Sequence, residues 1–209
     1  MKVVLFGASG MIGSRVLAEL VSRGHKVTAV ARDVAKIKAA EGVTVVAGDA
    51  NDPASVAAVA NGADAAVGAI APSHENPEAI VDSYRSLLKG LAEAGVKRLI
   101  VVGGAGSLEI APGLQLVDAP DFPAAWLGIA RAHRDVLPVL KESEFDWSYF
   151  SPAALIQPGE RTGEFRLGTT RLVATENGES KISAEDYAVA LVDELETPKH
   201  VRQQLTIAY

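Results

Sequence analysis

Val3-Val4-Leu5-Phe6-Gly7-Ala8-Ser9-Gly10-Met11-Ile12-Gly13 is the stretch that decides the fold. A short apolar, β-branched run stops at Gly7, and Gly10 and Gly13 follow at intervals of three. Beyond Gly13 the period changes. Gly13, Val16, Leu17, Leu20 and Val21 share one helical stripe, and Arg23-Gly24 supplies a basic last turn and a stop. The spacing predicts a buried strand feeding a helix through a turn almost bare of side chains. Such a turn exposes main-chain N–H groups at the positive end of the helix dipole, which suits a pyrophosphate. Gly7 allows the tight turn, Gly10 the close approach of phosphate, and Gly13 the contact between helix and sheet. The stretch Gly7, Ala8, Ser9, Gly10, Met11, Ile12 and Gly13 is therefore the candidate dinucleotide site, in the spacing G-x-x-G-x-x-G.

Working outward, apolar strand-like runs alternate with helical ones. Strands are predicted at Lys26 to Ala31, Val43 to Ala47, Ala63 to Ile70, Lys97 to Val102 and Asp146 to Phe150, with a last short one at Gln204 to Ile207. Between them lie a short helix at Asp33 to Ala40 and one opened by Asp52-Pro53 and running to Ala60. A longer helix is marked by Ile80, Tyr84, Leu87, Leu88 and Leu91, and another spans about Pro123 to Ser143. Ser183-Ala184-Glu185-Asp186 resembles a capping box and opens the last helix. This order predicts an α/β fold of Rossmann type, a doubly wound parallel sheet with helices on both faces. Residues 1–209 form one domain, in which 151–182 has no helical period and makes a small substrate-side subregion. Within it, Glu164 to Leu167 and Arg171 to Ala174 are expected to pair as a hairpin. Gly103 to Phe122 reads as a long loop leaving the C-terminal end of a strand, where open α/β sheets place ligands.

Composition sets the outer bounds. Of 209 residues 48% are hydrophobic and 22% charged, an ordinary soluble balance. There is no cysteine, which excludes disulfides, thiolate metal sites and cysteine nucleophiles. A net charge of −6 argues against nucleic acid as a partner. No run approaches the roughly 18 apolar residues of a membrane span. The N-terminal apolar run is too short for a signal peptide, so a cytoplasmic location is expected. No metal site is expected.

The choice between NADP and NAD falls at the end of the second strand, where an acid binds the ribose hydroxyl and a base accommodates the 2′-phosphate. Here the acid's usual place is Ala31, followed by Arg32. That favours NADP, with NAD possible. Asp33 competes, since it could turn in and repel the phosphate, and Lys36 is a weaker second cation. Asp49, through its side chain or the backbone of Ala50, is placed to meet the adenine, or else is a turn residue after Gly48. Ala69 and Ile70 should wall the nicotinamide half.

These residues carry a family resemblance. Gly7 to Gly13 with Gly48-Asp49 resembles the atypical short-chain dehydrogenase/reductase superfamily. Gly103-Gly104-Ala105-Gly106-Ser107-Leu108, Ser151-Pro152-Ala153, Pro158 to Gly163 and Ile182 to Ala188 resemble more narrowly its NADH-flavin reductase group. That group is similar to biliverdin reductase B. The resemblance spans essentially the whole chain and implies hydride transfer from a nicotinamide to a small-molecule acceptor, a flavin or quinone-like ring. One departure stands out. Members that oxidise alcohols or epimerise sugars use a Tyr-x-x-x-Lys pair, and this chain has none. Tyr84 and Tyr187 join apolar helical stripes, which reads as packing.

Flavin reduction escapes the need for that pair, because solvent can supply the proton and the protein has only to position two rings. The candidate catalytic residues are Ser107 and His133, as polar groups near the nicotinamide, and Trp126, as one wall of an open pocket over it. Each has a plainer reading: Ser107 bonding its own loop, Trp126 packing its helix, His133 on the surface. Arg161, in a Pro/Gly-rich loop, holds either an anion or the chain itself. The leading reading is an NADPH-dependent reductase; the alternative is a non-catalytic NAD(P)-binding redox sensor.

Overall fold

The computed structural model describes residues 1–209. Strands β1 (Lys2–Phe6), β2 (Lys26–Ala31), β3 (Val43–Ala47), β4 (Ala65–Gly68), β5 (Arg98–Val102) and β8 (Asp146–Ser151) form one parallel sheet with β12 (Gln203–Ala208). Its order is β10-β12-β8-β5-β4-β1-β2-β3, with β10 (Arg166–Gly168) added antiparallel at the edge. The fold is Rossmann-like and α/β. Helices α1 (Met11–Ser22) and α5 (Ala184–Glu196) pack together on one face. On the other lie α2 (Pro53–Ala60), α3 (Ala79–Glu93) and α4 (Ala124–Glu142).

Alternation along the strands feeds both layers. Val3 and Leu5 enter the core under α1 and α5, whereas Val4 and Phe6 enter the core under α2, α3 and α4. A strand buried on both faces must be apolar throughout, as the N-terminal run is. Each fully buried Leu or Val contributes roughly 1.5–3 kcal/mol. Helix ends follow local chemistry as well. Asp52 caps α2 by accepting the Ala54 amide at 3.0 Å, and Ser183 caps α5 by accepting the Asp186 amide at 2.9 Å. The chain reverses direction across the sheet between β1 and β4, so the crevice beyond their C-terminal ends is the switch point where such sheets bind ligands.

Four expectations need correction. The helix expected at Asp33 to Ala40 is one 3₁₀ turn, Val34–Lys36, because only Ile37 in this segment is buried and no apolar stripe anchors a longer helix. The fourth strand is shorter than expected, ending at Gly68. Gly103 to Phe122 is not plain loop: it carries the hairpin β6 (Glu109–Ala111) with β7 (Leu114–Gln115) between two 3₁₀ turns. The hairpin expected between Glu164–Leu167 and Arg171–Ala174 does not form. Instead β10 pairs with β12, and the Arg171 segment crosses to Glu109, whose amide donates to the Thr170 carbonyl at 2.8 Å. The subregion 151–182 also holds β9 (Leu155–Gln157), which pairs parallel with β11 (Lys181–Ser183).

Candidate functional site: a dinucleotide groove with an open phosphate cradle

The β1–α1 turn has the geometry that its glycines require. Gly7 sits at φ +79°, and a Cβ there would lie 2.2 Å from the Ala69 carbonyl oxygen. A Cβ on Gly13 would fall 2.1 Å from the Gly7 oxygen, so the helix can approach the turn only without one. Gly10 differs: its nearest neighbour would be the Gly7 oxygen at 3.4 Å, leaving the outer side open. The turn is held from within by the Gly7 and Ala8 amides, which donate to Val30 at 3.1 and 3.3 Å, and by the Gly10 amide on Gly7 at 3.0 Å. No side chain caps α1, and the amides of Met11 and Ile12 find no acceptor in the chain. Uncapped donors at a helix start, beside a space that a side chain would have filled, fit a pyrophosphate.

A groove of about 400 Å³ runs from this turn across the strand ends. Of the residues expected from sequence, Gly7, Ser9, Gly10, Arg32, Asp49, Ala50, Ala69 and Ile70 all line it. Ala8, Ile12 and Gly13 do not; they turn inward, Ala8 into the core and Ile12 against it. Met11 is exposed beside the turn. Arg32 is exposed at the groove wall and is paired with no carboxylate. Its competitor Asp33 accepts the Ala35 amide at 3.2 Å and meets Lys36 at 3.7 Å, so it is held within its own turn. Lys36 pairs with Asp33 and lines a different cavity from the groove.

Asp49 takes part in a turn and lines the groove at once. Its Oδ1 accepts the Asn51 amide at 2.9 Å and the Asn51 Nδ2 at 2.8 Å. Asn51 Oδ1 in turn accepts the Ser83 hydroxyl at 2.6 Å. Both Asn51 and Ser83 line the groove, and neither was expected from sequence. Ser83 interrupts the apolar stripe Ile80, Tyr84, Leu87, and a polar residue on a buried helix face is the signal that would have found it.

Two buried tyrosines fasten the ends of β4 and β5 from within. Tyr84 donates to the Gly68 carbonyl at 2.9 Å, and Tyr149 donates to the His133 carbonyl at 2.8 Å while accepting the Gly104 amide at 3.2 Å. Tyr187 likewise donates to the Phe150 carbonyl at 2.5 Å. Burial pushes all three phenols well above their ordinary range, so they stay protonated and hold backbone.

The three candidate catalytic residues part company. Ser107 does not face the groove: it is 4% exposed, donates to the Gly104 carbonyl at 3.3 Å and accepts Gln204 Nε2 at 2.8 Å. Its hydroxyl is committed inside the protein, which corrects the expectation that it meets an acceptor. His133 is half-buried against Gly104, its Nδ1 enclosed without a partner. Burial brings its imidazole down to about 4, so it is neutral at pH 7. Trp126 is 56% exposed on the first turn of α4, with its ring 5.9 Å from that of His74. It is not a core packing residue.

Arg161 holds the chain. Its Nε and Nη2 donate to the two oxygens of Glu19, each at 2.9 Å, in a bidentate pair. Beside it, Asp186 accepts the Thr162 hydroxyl at 2.6 Å and the Gly163 amide at 2.8 Å, which straps the loop to α5.

Comparison with known proteins gives this geometry a family. The NAD(P)H-binding family matches residues 7–198. The chain belongs to that family, within the atypical short-chain dehydrogenases/reductases. YwnB of Bacillus subtilis is 38% identical over 99% of this chain and 98% of its own. A solved structure from Bacteroides thetaiotaomicron, provisionally named an epimerase, is 44% identical with a TM-score of 0.93, covering 100% of this chain and 96% of that one. A Streptococcus pneumoniae structure, provisionally named an NADH-flavin reductase, is 31% identical with a TM-score of 0.87, covering 100% and 99%. No helix of this family member is long and apolar enough to cross a membrane.

Proposed function

We propose that this NAD(P)H-binding protein is a reductase that prefers NADPH and passes its hydride to a flavin or quinone-like ring. The observation that carries the reading is Arg32: an unpaired guanidinium on the wall of a groove whose other end is an uncapped phosphate cradle. The residues present fit a dinucleotide phosphate. Met11 and Ile12 would offer amides to the pyrophosphate, Arg32 would meet the 2′-phosphate, and the Asp49–Asn51–Ser83 cluster would face the adenine. Ala69 and Ile70 would leave room for the nicotinamide. A bound NADPH would supply the hydride, from its nicotinamide C4 to the flavin N5, with the N1 proton drawn from solvent, so that the products would be NADP⁺ and reduced flavin.

The protein's part is positional. Tyr84 and Tyr149 fix the strand ends beneath the nicotinamide half, and their hydroxyls are spent on carbonyls rather than on a reacting proton. That arrangement favours ring-to-ring transfer over the acid–base chemistry which the Bacteroides relative's name would suggest. The test is purified protein with NADPH and, in turn, FMN and a simple quinone, following oxidation of the nicotinamide. Turnover supports the reductase. Tight binding of NADPH and NADP⁺ without turnover on any acceptor overturns it in favour of the redox-sensing alternative.

A further inference from the structure

The proposed acceptor would need a surface of its own, and the molecule has one unexplained candidate. Trp126 is the most exposed large apolar side chain, at 56%, while the chain's other tryptophan, Trp147, is 2% exposed. Indole is costly to leave in water, and residues of its size bury large areas when a ligand covers them. Its setting is specific. Opposite stands His74, with ring centroids 5.9 Å apart and planes tilted by 54°. The two rings therefore form an open corner and do not cover each other, so the remaining indole face is free.

The corner is anchored to the cofactor groove through one short loop. His74 belongs to the β4–α3 connection, in which Pro72, Ser73 and Asn76 line the groove and Ala69 and Ile70 form its inner end. On the other side α4 seats closely against the same connection: a Cβ on Gly128 would lie 3.3 Å from Pro77 Cγ. Gly104 lies against His133, one helical turn and more along α4, so the helix also borders the end of β5. Trp126 thus stands on the first turn of the helix that packs against both the β4–α3 connection and the segment after β5.

We infer that Trp126 and His74 form a stacking corner for a planar aromatic ring, the acceptor of the proposed reduction, and that this corner rather than the cofactor groove sets affinity for it. The inference rests on the reductase reading, since it names the acceptor class for that site. A flat tricyclic or bicyclic ring can lie on the free indole face with its edge against the imidazole, an arrangement in which stacking supplies affinity without demanding one substituent pattern.

The experiment uses FMN as probe in the presence of saturating NADP⁺, so that no reduction occurs. Contact with indole quenches flavin emission, and buried Trp147 cannot make that contact. Wild-type protein should quench FMN emission on titration. Trp126→Leu should lose the quenching and weaken FMN binding by calorimetry about tenfold or more. His74→Ala should weaken it by a smaller factor, and NADPH affinity should stay within twofold in both variants. Circular dichroism and NADPH affinity together report that the variants are folded. FMN affinity and quenching unchanged in Trp126→Leu would overturn the corner while leaving the reductase reading intact. Failure of the wild-type protein to bind FMN while it binds NADPH would do the same, with quinone turnover then deciding the reading itself. Failure to bind NADPH would remove both.

Discussion

Two cavities flank α1, and they spend their charges in opposite ways. The one behind the helix is the larger, about 830 Å³, against about 400 Å³ for the groove in front. Yet the rear cavity's ions are largely occupied with one another: Arg161 with Glu19 at 2.9 Å, Arg15 with Glu185 at 3.0 Å, Lys36 with Asp33 at 3.7 Å. The front groove keeps open amides at the helix start and an arginine without a carboxylate. Volume alone would choose the rear. Open donors point to the front instead: helix-start amides at the positive end of the α1 dipole and a guanidinium without a carboxylate both suit an incoming anion.

The comparison breaks most visibly at the glycines. Gly10→Ala should leave the fold intact, since its Cβ meets nothing closer than 3.4 Å, but should cut NADPH affinity about a hundredfold or more, because the methyl occupies the approach of the pyrophosphate. Gly13→Ala should instead impair folding as well, its Cβ being 2.1 Å from the Gly7 oxygen. Thermal melts and calorimetry on the pair separate the two effects. Next, Arg32→Ala should weaken NADPH about ten- to a hundredfold and leave NADH nearly unchanged. An equal loss for both cofactors would mean that Arg32 does not read the 2′-phosphate.

The rear side answers through stability alone. Glu19 is 6% exposed and holds both Arg23 and Arg161, so Glu19→Ala should cost about 2–3 kcal/mol in denaturant unfolding while NADPH affinity is kept. The Arg161 hydrogen bonds hold the Glu19 carboxyl below its ordinary range. Their contribution is present above about pH 4.5 and is lost as pH falls through the lowered value. His133 adds a slope at higher pH. Its ordinary 6.5 falls to about 4 on burial, so the unfolded chain takes up the proton first. Stability should be full above about pH 6.5 and decline towards pH 4, by up to about 2–3 kcal/mol, and His133→Gln should flatten that interval.

The same contrast explains how much was legible in the sequence. The phosphate turn is local: strand, glycines and helix stripe lie within the first 22 residues, and each glycine has a physical task that its spacing reveals. That Arg32, Asp49, Ala50, Ala69 and Ile70 would share one groove was readable because strand ends fix them. Pairings between distant segments were not. Glu19 and Arg161 are 142 residues apart, β9 finds β11 across 26 residues, and three-residue strands carry no measurable period. For Ser107 the bond to its own loop was one of the two readings, but its second partner was hidden for the same reason: Gln204 is 97 residues away on β12. Asn51 and Ser83 were hidden differently, one in a turn and one on a helix read only for its apolar residues.

The central claim is that the open cradle and Arg32 together hold a 2′-phosphorylated dinucleotide. Isothermal calorimetry of the wild-type protein with NADPH and then NADH tests it most directly. The account predicts that both bind and that NADPH binds at least about tenfold more tightly. Heat from neither would contradict it outright, and a tighter NADH would remove Arg32 from its assigned role.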